Sequence, residues 1–307
     1  DGQGNRILQR RAERGGTGRL DTEADPVMLE VFNNLFMSIA EQMGATLANT
    51  AFSVNIKERL DFSCAIFDRH GDLVANAPHV PVHLGSMSES VRMILRENAS
   101  TLRPGMSFMT NDPFDGGTHL PDVTVITPVF DEAGEEIVVV TASRGHHADI
   151  GGTTPGSAPP DSVRIEEEGV VIHDALLVER GTLLRDAARA VLTSGDWPCR
   201  NVEQNLADLE AQVAANATGV AELGRMVETF GLPTVAAYMA HVQDNAEESV
   251  RRVIDVLSDG EAVHRLDDGA EIRVAVTVDR EARSATIDFA GTSPQQAGNY
   301  NAPLAIS

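Results

Sequence analysis

The chain has 307 residues and a formal net charge of −22, from 24 Lys+Arg against 46 Asp+Glu. Nucleic-acid binding needs basic side chains against phosphates, and an anionic leaflet repels an acidic surface, so neither partner fits. A content of 42% hydrophobic and 23% charged residues is that of a globular protein of one to about three domains, and no apolar run approaches the ~20 residues that span a bilayer.

The chain opens Asp-Gly-Gln-Gly-Asn, without an initiator Met or a signal peptide, and is expected to be a processed or excised piece. Residues 1–25 are polar and aperiodic and read as a linker or the tail of a preceding domain. Asp25-Pro26 is a helix start, an acid at the N-cap with proline at the first helical position. Val27, Val31, Leu35, Ile39 and Met43 then recur at helical spacing and predict a helix to about residue 52. Residues 62–67 read as a buried strand, 71–72 as a turn and 86–97 as a capped helix. Between them Pro78-His-Val-Pro-Val-His83 reads as extended. That places His79 and His83 on one face, where they line a pocket or pack beside the turn.

Residues 123–130 and 137–143 form a hairpin-like pair around Glu132-Ala-Gly134, and the Gly-, Thr- and Pro-rich stretch 151–160 is a loop. Two long helices are predicted over 202–230 and 234–257, broken at Gly231-Leu-Pro233. A strand pair over 271–278 and 284–289 follows, and the apolar end after it suggests that the natural chain continues. The expected class is α+β: mixed sheets with long packed helices, and a metal site on loops at strand ends. The expected division is a metal-site α/β domain over 26–195 and a helical segment with a terminal strand pair over 196–307. Two cysteines, Cys64 and Cys199, cannot build a disulfide framework and indicate a reduced, cytoplasmic setting. Cys64, in an apolar run, is expected in the core.

Two segments concentrate reactive side chains: Asn111-Asp-Pro-Phe-Asp-Gly-Gly-Thr-His-Leu-Pro-Asp122 and Arg144-Gly-His-His-Ala-Asp-Ile-Gly-Gly152. His119 and Asp122 stand three apart in a turn, and His146 and His147 close a β-rich run. Two adjacent strands ending side by side would bring His119, Asp122 and His146 together, with Asp61 at the mouth of strand 62–67 as a further carboxylate. Such a shell suits zinc, manganese or ferrous iron and a metal-activated water. The alternative is hydrogen-bonded turn residues and no metal. Neighbouring strand residues face opposite ways, so only one of His146 and His147 reaches the site. Arg59 is either a buried fork for a substrate carboxylate or a solvated turn residue. The triplet Glu166–168 reads as surface charge. No phosphate-binding glycine motif and no Gly-x-Ser-x-Gly elbow occurs.

These segments, with Phe36-Met-Ser-Ile-Ala-Glu-Gln-Met-Gly44, Asn55-Ile-Lys-Glu-Arg-Leu-Asp-Phe-Ser-Cys64 and His79-Val-Pro-Val-His-Leu-Gly85, resemble the hydantoinase B/oxoprolinase family from about Asp25 onward. The resemblance is greatest to the C-terminal part of single-chain 5-oxoprolinases. It implies a division of labour in which a hydantoinase A-type partner uses ATP and this part, holding a divalent metal, opens a small lactam. On that basis the metal ligands are Asp61, His119, Asp122 and His146. The catalytic candidates are His147 and His83, with Arg59 binding substrate. A homo-oligomer is expected. The readings kept beside it are an N-methylhydantoinase, an acetone-carboxylase-type subunit and a non-catalytic docking module. This part alone is expected to be inactive, since ATP is bound by the partner.

Overall fold

The computed structural model describes residues 22–306, so most of the predicted linker over 1–25 lies outside the described residues. Helix α1 (Pro26–Thr50) starts as its sequence dictates: Asp25 Oδ1 accepts from the backbone N–H groups of Val27 at 3.0 Å and Met28 at 2.9 Å. Its buried face, Phe32, Phe36, Ile39, Met43 and Leu47, packs against α5 (Val202–Phe230) and α6 (Leu232–Ile254). Between α1 and the sheet sits the short α2 (Val54–Lys57).

A seven-stranded sheet carries the molecule, in the order β2-β1-β5-β4-β3-β6-β7. Its strands are β1 (Phe62–Asp68), β2 (Leu73–Asn76), β3 (Ser107–Thr110), β4 (Asp122–Phe130), β5 (Ile137–His146), β6 (Ala175–Glu179) and β7 (Thr182–Leu183), and its ladders are antiparallel. The alternation of β1 sorts its side chains into two cores. Phe62, Cys64 and Ile66 face the helices α1, α5 and α6, while Ala65 and Phe67 face α3 (Pro81–Glu97). A further core lies among β3, β4, β6, α4 (Arg185–Leu192) and α5. A separate three-stranded sheet, β8 (Gly260–Arg265), β9 (Glu271–Asp279) and β10 (Ser284–Asp288), contains no buried residue. The class is α+β, helices against antiparallel sheets. No described helix is long and apolar enough to cross a membrane.

The main correction concerns residues 78–85. The extended reading fails at Pro81, which is the first residue of α3 rather than part of an extended run. His79 and His83 therefore do not share a face. His79 packs on the Phe62 ring at 4.8 Å, on the α1 side, and accepts from the Cys64 N–H. His83 lies in the first turn of α3, on the other side of the sheet.

Candidate metal centre

The β4–β5 ladder builds the site. Asp122, first residue of β4, pairs with His146, last residue of β5, and Thr124 pairs with Arg144. Residues two apart on a strand share a face, so Asp122, Thr124, Arg144 and His146 all point to the α3 side. On β1, Ser63 pairs with Arg144 and joins the same face. Asp61, just before β1, is tied in by its carbonyl, which accepts from the His146 N–H at 3.0 Å. Leu60, at φ 56, turns the chain from α2 into this position, a left-handed conformation uncommon for a side chain of its size.

Three ligand-type atoms converge. His119 Nε2, His146 Nδ1 and Asp122 Oδ1 form a triangle in which each side is 3.1 Å. Atoms held ~2.1 Å from one cation at roughly right-angled to tetrahedral spacing lie about 3.0–3.4 Å apart, so this triangle fits a first-row divalent ion. Asp61 Oδ2 is 3.9 Å from His146 Nδ1 and stands as a fourth donor at the rim. The other oxygen of Asp122 is held from below. Thr118 Oγ1 donates to Oδ2, and His83 Nε2 lies 3.2 Å from it, with His83 Nδ1 3.1 Å from Ser63 Oγ. Burial alone would raise the Asp122 carboxyl, but the hydrogen bonds to His119, His146 and His83 outweigh it and hold the group well below the usual carboxylate range. Burial pulls the His119 imidazole down, and its contact with Asp122 more than reverses this, so its pKa is raised.

The remaining expected site residues fall elsewhere. His147 points to the opposite side of β5, fully buried under α5. Its Nε2 donates to Gln212 Oε1 at 3.1 Å, and its Nδ1 accepts from Asn205 Nδ2 at 3.1 Å. Gln212 Nε2 is already committed to the carbonyls of Val123 and Ser143, which fixes Oε1 as the acceptor and His147 as the neutral Nε2–H tautomer. Burial keeps its pKa below the ordinary histidine value. Arg59 is exposed, not buried, and its side chain makes no ion pair among the described residues. Cys64 is fully buried, and burial pushes its thiol up, away from nucleophile chemistry.

Sequence reasoning missed Thr118 and Arg144. The signal for Arg144 was present: it stands two residues before His146 on a predicted strand. A second group, Asp112, Asp115 and His173, closes the start of the motif loop, with His173 Nδ1 2.9 Å from Asp112 Oδ2.

The profile of the hydantoinase B/oxoprolinase family matches residues 25–307. The protein named 5-oxoprolinase 1 of Arabidopsis thaliana is 47% identical over 308 residues, which cover 92% of this chain and 24% of the relative. The chain thus spans about a quarter of that curated relative's length. The crystal structure of the ATP-dependent caprolactamase from Pseudomonas jessenii superposes with a TM-score of 0.81 at 25% identity, covering 92% of this chain and 49% of that one. A nucleotide-free acetone carboxylase structure shares the fold, with a TM-score of 0.80 at 18% identity over 91% of this chain and 39% of its own. The chain belongs to the hydantoinase B/oxoprolinase family.

Proposed function

We propose that this chain is the metal-holding, ring-opening part of an ATP-dependent 5-oxoprolinase, converting 5-oxo-L-proline to L-glutamate with a hydantoinase A-type ATP-using partner in the cytoplasm. The observation that carries the reading is the triangle of His119 Nε2, His146 Nδ1 and Asp122 Oδ1 with 3.1 Å sides. The lactam named for the caprolactamase and the activity named for the Arabidopsis relative support the substrate class.

His119, Asp122 and His146 would hold zinc, manganese or iron, with Asp61 as fourth ligand. The ion would supply Lewis acidity and a water acidified toward neutral pH. The protein's own contributions follow from the geometry. Asp122 presents Oδ1 to the triangle because Thr118 and His83 retain Oδ2. His83 thus acts through Asp122 rather than on substrate. His147 supports the strand end from behind. Arg59, exposed and two residues from Asp61, offers a guanidinium fork to the carboxylate of 5-oxoproline.

The test uses the complete enzyme, with the ATP-using part present, and follows phosphate release and glutamate formation together. Asp122→Asn should continue to release phosphate while glutamate formation falls by at least about 100-fold. Both rates near wild type would refute the assignment. Bicarbonate and a ketone in place of lactam test the carboxylase reading. A metal-free wild type would favour a docking module.

A further inference from the structure

Arg144 is fully buried, and its bonding is unusual for a buried cation. Nε donates to Thr124 Oγ1 at 2.7 Å, one Nη to Ser86 Oγ, and the other Nη to Ser90 Oγ and the Gly116 carbonyl, each at 3.0 Å. None of these partners is a carboxylate, and Arg144 forms no ion pair among the described residues. Burial pushes the guanidinium down to about 10, with the Asp122 charge acting in the opposite sense.

The positions of the partners matter more than their number. Thr124 stands two residues after Asp122 on β4. Ser86 stands three after His83 on α3. Gly116 stands three before His119 on the motif loop, and Arg144 itself stands two before His146 on β5. One planar group therefore ties the four segments that carry Asp122, His83, His119 and His146. Lysine cannot replace it, because an ammonium donates from a single point and cannot span acceptors on three segments besides its own.

We propose that Arg144 is a positioning residue that sets the spacing of the His119–Asp122–His146 triangle. This rests on the metal reading above. The charge of Arg144 opposes a cation at the triangle, so loss of charge and loss of the fork act on metal affinity in opposite directions. Arg144→Lys keeps the charge and removes the fork, which isolates the positioning role.

The test titrates the metal-free chain with Co²⁺ and follows the visible d–d bands, which report ligand geometry, with circular dichroism confirming the fold. Wild type and the surface control Arg69→Lys should bind alike. Folded Arg144→Lys should bind at least about 10-fold more weakly and with altered bands, the scale of a lost outer contact. If Arg144→Lys does not fold, Ser86→Ala combined with Ser90→Ala carries the same test with the same two outcomes. A wild type that binds no Co²⁺ sinks the metal reading itself. A binding wild type with a variant of matching affinity and unchanged bands overturns this inference alone.

Discussion

Asp122 and His146 are register partners across the β4–β5 ladder, so the 3.1 Å between Asp122 Oδ1 and His146 Nδ1 is set by strand pairing rather than by loop conformation. Only His119 reaches the triangle from a loop, and its side chain is 55% exposed. The strand pair is the fixed part of the site and His119 the adjustable part.

Metal content should follow this division. Dialysed wild type and His70→Ala should each retain about one divalent ion per chain by elemental analysis, and His119→Ala close to none. His70 lies exposed in the turn between β1 and β2 and touches none of the triangle. Equal retention by wild type and His119→Ala would contradict the assignment.

Gly116 should tolerate no side chain. It sits at φ +88, and a Cβ there would come 2.2 Å from the Ser90 backbone nitrogen and 2.6 Å from the Glu89 carbonyl carbon. Because the obstacle is helix backbone, Gly116→Ala should cost about 2 kcal/mol or more in denaturant unfolding and weaken metal binding as the loop moves. Gly156→Ala, with open space around it, should cost less despite its positive φ. The same loss at both positions would speak against close packing of α3 on the loop.

Removal of the His147 titration should flatten the acid side of the stability curve. Its folded pKa is lowered by burial. The unfolded chain therefore takes up a proton near pH 6.5 that the folded chain refuses, and this contribution to stability is complete above that pH and lost as pH falls. In metal-free protein, wild type should lose up to about 1.4 kcal/mol per pH unit below pH 6.5 from this group, and His147→Gln should not. The penalty of the variant should shrink on going from pH 7.5 to pH 5.5. A penalty that stays constant or grows would show that His147 is not held neutral.

Gln212→Leu should be costly although the volume is nearly conserved. The fully buried amide donates to Val123 O at 2.9 Å and Ser143 O at 3.0 Å and accepts from His147. Leucine would leave the His147 N–H unpaired, a cost of about 1–3 kcal/mol measurable by urea unfolding. Glu228→Gln, at an exposed position of α5, should be near neutral.

Long periodic elements were legible in the sequence. The start of α1, the helices α5 and α6 and the β4–β5 pair fall within a few residues of expectation, because capping and apolar spacing act locally. The four-residue strands β2 and β3 escaped, since a short, mostly buried strand shows no alternation, and β8 escaped because its two apolar residues, Ala262 and Val263, are adjacent and flanked by Glu261, His264 and Arg265, which leaves no period of two. At Pro81 two signals competed, an extended proline-rich run and a proline at the first helical position, and tertiary packing of Met87, Val91 and Ile94 on the sheet decided for the helix. The convergence of His119, Asp122 and His146 was visible in motif spacing. The roles of Thr118 and Arg144 were not, because they depend on which residues α3 lays over the strand ends.

The contact of Gly116 with α3 has a mechanical consequence. Helix and motif loop meet backbone to backbone at Ser90, with no side chain between them to deform. The same helix carries His83 in its first turn, and the short 3-10 turn Leu304–Ile306 rests against it. Both supports of the triangle, His83 beneath Asp122 and the loop that carries His119, are therefore braced on one and the same helix.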